Sequence, residues 1–136
     1  AENPSPTRLS ASVPAALAED EEGAHRIAAG WLLAYLTRMG PLYPKMLRES
    51  FGFAAEVDAL LAANDGMGLP TLPAASERLA REVTFMGTYD EVPSLIGDWL
   101  DGGADELDLV LPFGLPEELL REMLEAASPL RTSARP

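Results

Sequence analysis

The sequence predicts a helix-rich α/β domain with two parallel strands, at about residues 8–17 and 106–111, and several helices. Three observations predict it. Two short stretches alternate apolar residues with a period of two, the mark of a strand. Longer stretches between and after them repeat apolar residues at helical spacing. The resulting order, strand, helices, strand, helix, favours parallel strands joined by a right-handed crossover.

The opening residues 1–7, "AENPSPT", read as a flexible lead-in. In the first strand Leu9, Ala11, Val13, Ala15 and Leu17 alternate with Ser10, Ser12, Pro14, Ala16 and Ala18. Pro14 lacks the N–H a ladder needs, which favours an edge strand or a strand end. Asp20 offers an N-cap for the first helix, with Glu21 and Glu22 favourable in its first turn. Ala24, Ile27, Ala28, Trp31, Leu32, Tyr35, Leu36 and Met39 then give a wide apolar stripe, and Gly40–Pro41 stop it. Shorter helical pieces follow around Tyr43–Ser50 and Phe53–Ala63. "NDGMGLP" (64–70) is a loop, and residues 73–83 resume a helical pattern.

Val92, Leu95, Ile96, Trp99 and Leu100 make the cleanest amphipathic face in the chain, and Gly102–Gly103 end it. Its start is ambiguous. Thr88 and Glu91 form a T-x-x-E capping box, but with Thr88 as cap, Pro93 falls at the fifth helical position. There it removes a hydrogen bond at a cost on the order of 3 kcal/mol, against about 1 kcal/mol for a cap. The expectation is therefore that Asp90 is the effective cap. Leu107, Leu109 and Leu111 alternate in the second strand. Pro116 suits the first turn of a last helix with Leu119, Leu120, Met123, Leu124 and Ala127 on its apolar face. Residues 129–136 read as a frayed tail.

The composition, 47% hydrophobic and 24% charged over 136 residues, is that of one globular domain, with 8–128 as its body. No apolar run approaches the length of about 20 residues that spans a bilayer. The absence of cysteine excludes disulfides, thiolate ligands and a cysteine nucleophile, and fits a cytoplasmic protein. The net charge is −12, from 10 Lys plus Arg against 22 Asp plus Glu, and it disfavours nucleic acid and anionic membranes as partners.

Few residues offer chemistry. His25 is the only histidine, and a His–carboxylate metal site needs several converging ligands, so no metal is expected. Ser10 and Ser12 lack an identifiable base. Asp20–Glu22 and Glu117–Glu118 lie at helix starts, where the helix dipole accounts for them. No dinucleotide or P-loop glycine pattern is present. No catalytic residue is assigned.

"MGTYDEVPSLIGDWLDGGADELDLVLP" followed by "LPEELLREMLEAASP" resembles the C-terminal end of luciferase-like monooxygenases, in the branch that includes coenzyme F420-dependent oxidoreductases. "SASVPAALAEDEEGAHRIAAGWLLAYL" resembles the strand and helix before it, and "GPLYPKMLRESFGF" and "EVDALLAA" its intervening helical segment. The resemblance implies a partial (β/α)8 barrel whose two strands are the seventh and eighth. It also implies FMN or F420 as cofactor and, since earlier strands carry most flavin contacts, a chain inactive alone. The partner is then a missing barrel segment, or a second copy if the chain is a barrel remnant that homodimerises.

In a barrel the loops after strands form the active-site face. That makes Pro112, Phe113 and Gly114 of "PFGLP" the candidate cofactor-binding residues, with the Gly114 and Leu115 N–H groups able to meet a phosphate. The alternative is a plain βα turn. Tyr43, Met46 and Phe51 line a substrate pocket on the barrel reading or pack helices on the plainer one. Pro93 and Asp108 depart from the family pattern. Asp108 is either a solvated strand residue or a functional acid.

Overall fold

The computed structural model describes residues 7–66 and 68–128. The expected lead-in and tail lie outside them, apart from Thr7. The fold is α/β and helix-rich, around a parallel three-stranded sheet: β1 (Ser10–Ala18), β2 (Phe85–Thr88) and β3 (Glu106–Val110), in the order β2-β1-β3. Among the described residues six α-helices surround it: α1 (Glu21–Thr37), α2 (Leu42–Lys45), α3 (Ala54–Ala63), α4 (Glu77–Val83), α5 (Val92–Asp101) and α6 (Glu117–Ala127). α2 runs on into a wider π-helical turn, Met46–Ser50.

Two of the three strands match the expected ones. β2 is additional. It has four residues, and its Phe85 and Met86 are buried on opposite sides of the sheet, so no polar alternation marks it. The consecutive strands β2 and β3 flank β1 rather than each other. In a (β/α)8 barrel consecutive strands are neighbours, so the sheet as it stands is an open one.

Pro14 is neither on an edge strand nor at a strand end, because β1 is central. The register explains how. β1 pairs β3 from Ser10↔Glu106 to Pro14↔Val110, and pairs β2 from Ala15↔Phe85 to Ala18↔Thr88. Pro14 stands at the changeover, the last position of one ladder and one residue before the other. A missing donor there interrupts neither ladder.

Alternation along β1 divides the core in two. Ala16 faces α1, α3 and α4, together with Met86 of β2. Val13 and Leu17 face α5 and α6, with Phe85 and the β3 leucines Leu107 and Leu109. Asp20 caps α1 as expected, its Oδ1 accepting from the Gly23 N–H at 2.8 Å. The stripe of α1 ends one turn early: Met39 lies beyond the helix and is exposed.

α5 starts in neither of the two ways weighed from sequence. Asp90 is not the cap. A 3-10 turn, Tyr89–Glu91, comes between Thr88 and the α-helix. Glu91 reaches back to accept from the Thr88 N–H and hydroxyl, both at 3.0 Å, while Pro93 still falls in the first α-helical turn. The tighter turn lets cap and proline coexist. On α6 the buried anchor is Met123; Leu119 and Leu124 of the expected face are exposed, and Pro116 precedes the helix as its cap position.

Candidate functional site

β1 leads into α1, which lies against one sheet face, and β2 leads through α5 on the other face to β3. The direction of winding therefore reverses between β1 and β3. In open α/β sheets, ligands bind beyond the carboxyl ends of the strands at such a reversal. A groove of about 460 Å³ lies there, between one side of α1 and the loop after β3.

The spacing of α1 builds one wall of the groove. Ile27, Gly30, Trp31, Ala34 and Arg38 line it, with Arg26 beside them. Trp31 is anchored: its Nε1 donates to the Ala15 carbonyl at 2.9 Å, one residue past the point where β3 stops pairing with β1. The indole thus supplies the hydrogen bond that the departing strand no longer makes. Arg26 is tied to Glu22 at 3.0 Å. Arg38, at the C-cap of α1, has no ion pair among the described residues.

The loop after β3 builds the other wall. Pro112 and Phe113, two of the three residues expected at a cofactor, line the groove with Leu115. Phe113 is 92% exposed, an unusual position for a phenyl ring in a folded chain. Gly114 is not on the wall. It turns the loop at φ 78°, a conformation that L side chains rarely adopt.

Tyr43, Met46 and Phe51 come together in a second groove, of about 470 Å³, with Tyr35 and Pro14. A chain of rings joins the two grooves along α1. Trp31 and Tyr35 stack with centroids 6.1 Å apart, and Tyr35 meets Tyr43 at 5.1 Å. Burial, and then the neighbouring Tyr43, raise the pKa of the Tyr35 phenol. Both grooves offer ring faces and few polar groups, so they suit binding of flat apolar or aromatic ligands better than acid–base chemistry.

Asp108 is solvated. It lies on the β3 face that the α1 layer leaves bare, and its Oδ2 accepts from Ser10 Oγ at 3.1 Å across the β1–β3 pair. Ser10 and Ser12 are exposed beside it, away from both groove floors except for Ser12 at the rim of the second. His25 is not a plain surface residue. Its Nε2 is buried and has no hydrogen-bond partner. Sequence reasoning missed Trp31 and Arg38 as groove residues, because the apolar spacing of α1 marks the first only as a packing residue and the second not at all.

Compared with protein-family models, curated proteins and solved structures, the chain gives no match. Among the described residues no helix is long and apolar enough to cross a membrane.

Proposed function

We propose that the chain is the C-terminal portion of a luciferase-like flavin- or F420-dependent oxidoreductase, contributing one wall of the cofactor site and inactive alone. The observation that carries this reading is the groove between α1 and the loop after β3. It is lined by Trp31 and Phe113 together with Arg26 and Arg38. FMN and F420 each join a planar fused ring to a phosphate. Aromatic faces suit the ring, and guanidinium forks suit the phosphate. The sequence resemblance adds the family. On this reading the open sheet is part of a (β/α)8 barrel whose remaining strands are supplied from outside this chain.

Titration of FMN and of F420 into the purified chain, followed by fluorescence, tests it. The expected result is weak saturable binding, well above micromolar, reduced further by Arg38→Ala and by Phe113→Ala. Micromolar binding overturns the incompleteness. A response that never saturates overturns the cofactor groove.

A second reading, a barrel remnant that homodimerises, is favoured by a different observation. Val110 on the outer strand β3 and Phe113 in the loop after it are exposed beside an unpaired strand edge. Such edges invite pairing. Native mass spectrometry separates the two readings: a dimer whose β3 amides are protected from exchange supports the remnant, and a monomer excludes it.

A further inference from the structure

We propose that Glu21, His25 and Glu77 form a binding site for a single divalent transition-metal ion of the zinc class. The site is distinct from the cofactor groove and does not depend on it. Glu21 and His25 stand one turn apart on α1, on the same side of the helix. Glu77 is the first residue of α4, which packs in the same layer as α1. One donor atom from each, two carboxylate oxygens and one imidazole nitrogen, all lie within 4.8 Å of one another.

His25 is the observation that points to an ion. Its Nε2 is shut off from water and makes no hydrogen bond. The Glu21 Oε1 carboxylate oxygen is 3.4 Å away. That is a poor hydrogen bond but a good coordination edge. With ligands at about 2.0–2.1 Å from a tetrahedral zinc, neighbouring donor atoms stand about 3.3–3.4 Å apart. A buried nitrogen without a partner is unfavourable, and a metal ion supplies the partner.

The charges agree. Two carboxylates and a neutral imidazole balance a divalent cation, in a chain whose formal net charge is −12. Two cations compete nearby, and neither closes the site. Arg81 donates twice to Glu77 Oε1, at 3.0 and 2.7 Å, leaving the other oxygen of that carboxylate. Arg26 pairs with Glu22 rather than Glu21. The mixed nitrogen and oxygen donors select zinc-class ions over magnesium and calcium, which take oxygen alone.

Three protein ligands leave a fourth position for water or a small ligand, as catalytic rather than structural zinc sites do. Glu21 and His25 also face a cavity of about 430 Å³, whose far wall is the segment from Leu69 to Leu72. That wall is held in place. Asn64 Nδ2 donates to the Thr71 carbonyl and Asn64 Oδ1 accepts from the Thr71 N–H, both at 2.8 Å.

The test uses Zn²⁺ with the full 136-residue chain, by calorimetry and by NMR of the imidazole. Because His25 is the only histidine, its ring signals report the site directly. The expected result is one Zn²⁺ per chain, with the His25 signals shifted by Zn²⁺ and not by the same concentration of Mg²⁺. His25→Gln and Glu77→Gln should each weaken binding at least about tenfold, since losing even an outer hydrogen-bond partner of a metal ligand costs that much, with unchanged melting. If Glu77→Gln does not fold, Glu21→Gln in the exposed first turn takes its place. Unshifted His25 signals, or equal Zn²⁺ affinity in His25→Gln, overturn the proposal.

Discussion

The two faces of the sheet are built differently. On the first, Ala16 of β1 meets Ala24, Ala28 and Ala29 of α1, and Leu32, Val57, Leu60 and Leu79 close over them, all at 1% exposure or less. Alanines let the helix approach the strands closely, and α3 and α4 extend the cover of α1. On the second face Val13, Leu17, Phe85, Val92 and Met123 are buried, but Leu95, Ile96, Trp99, Leu107 and Leu109 are only half-buried under α5 and α6. Yet α5 carries the cleaner amphipathic pattern in sequence. Amphipathicity reports that a helix has one wet side; it does not report how deep the dry side lies. Depth comes from how many helices cover the face, and α1, α3 and α4 cover the first.

The strongest way to break this contrast is to cut one leucine on each face. Leu60→Ala, fully buried on the first face, should cost about 3 kcal/mol, since the cavity it leaves cannot collapse. Leu109→Ala on the second should cost about 1 kcal/mol, because water already reaches it. Urea denaturation of both variants measures the difference, and equal losses would remove the distinction.

Two glycines give a smaller version of the same test. A Cβ at Gly23 meets the Ala18 Cβ at 2.8 Å and Asp20 Oδ1 at 3.0 Å, atoms held by β1 and by the α1 cap. A Cβ at Gly87 meets Leu95 Cδ1 at 2.6 Å, the tip of a side chain that can turn away. Gly23→Ala should therefore cost about 1–3 kcal/mol and Gly87→Ala less than about 1 kcal/mol, although the second contact is the shorter. Thermal melts rank the pair.

Each face also carries a depressed carboxylate. Arg78 donates to Glu56 at 2.9 and 2.6 Å, and this hydrogen bonding holds Glu56 below its ordinary value of 4.5. The Thr88 N–H and hydroxyl hold Glu91 down in the same way. A carboxylate with a lowered folded pKa stabilises above the unfolded pKa and loses that contribution as pH falls through the folded one. Stability should therefore decline as pH drops below about 4.5, and Glu56→Gln and Glu91→Gln should each flatten that decline. Urea midpoints between neutral pH and pH about 3 show it.

The smallest effect sits at the edge of the second face. Burial, and then the hydrogen bond to Glu122 at 3.1 Å, push the Tyr89 phenol up to about 12. Its neutral form is favoured in the fold, so this contribution is complete below the ordinary tyrosine value of 10.0 and fades as pH rises towards about 12. Ultraviolet titration should show a tyrosine ionising near about 12 that Tyr89→Phe removes.

Much of this architecture is legible in the sequence, for reasons tied to particular residues. Asp20 caps α1 because its short side chain reaches an N–H three residues on, a purely local bond. The alternation of β1 and β3 survives because each stretch shows its period over several residues. β2 escapes notice because Phe85, Met86 and Gly87 are all buried and show no alternation. The position of Pro14 is invisible locally, since only the register of two distant strands reveals that no donor is needed there. The groove divides in the same way. Pro112 and Phe113 follow a recognisable strand, but Arg38 joins them only when α1 folds onto β1, beside the loop after β3. Glu21 and His25 show their helical spacing in the sequence, while Glu77 reaches them only when α4 folds onto α1.

The stagger along β1 has a consequence for how the molecule breathes. β3 holds only residues 10–14 of β1, and β2 only residues 15–18. The sheet is a lap joint in which no cross-section contains all three strands. Detaching β3 breaks no hydrogen bond of the β1–β2 ladder. Native-state hydrogen exchange should then resolve two cooperative units: an early-opening one containing β3, and a late one built on β2, the second half of β1 and α1. The amide of Ala15, the first residue past the proline, marks the seam between them.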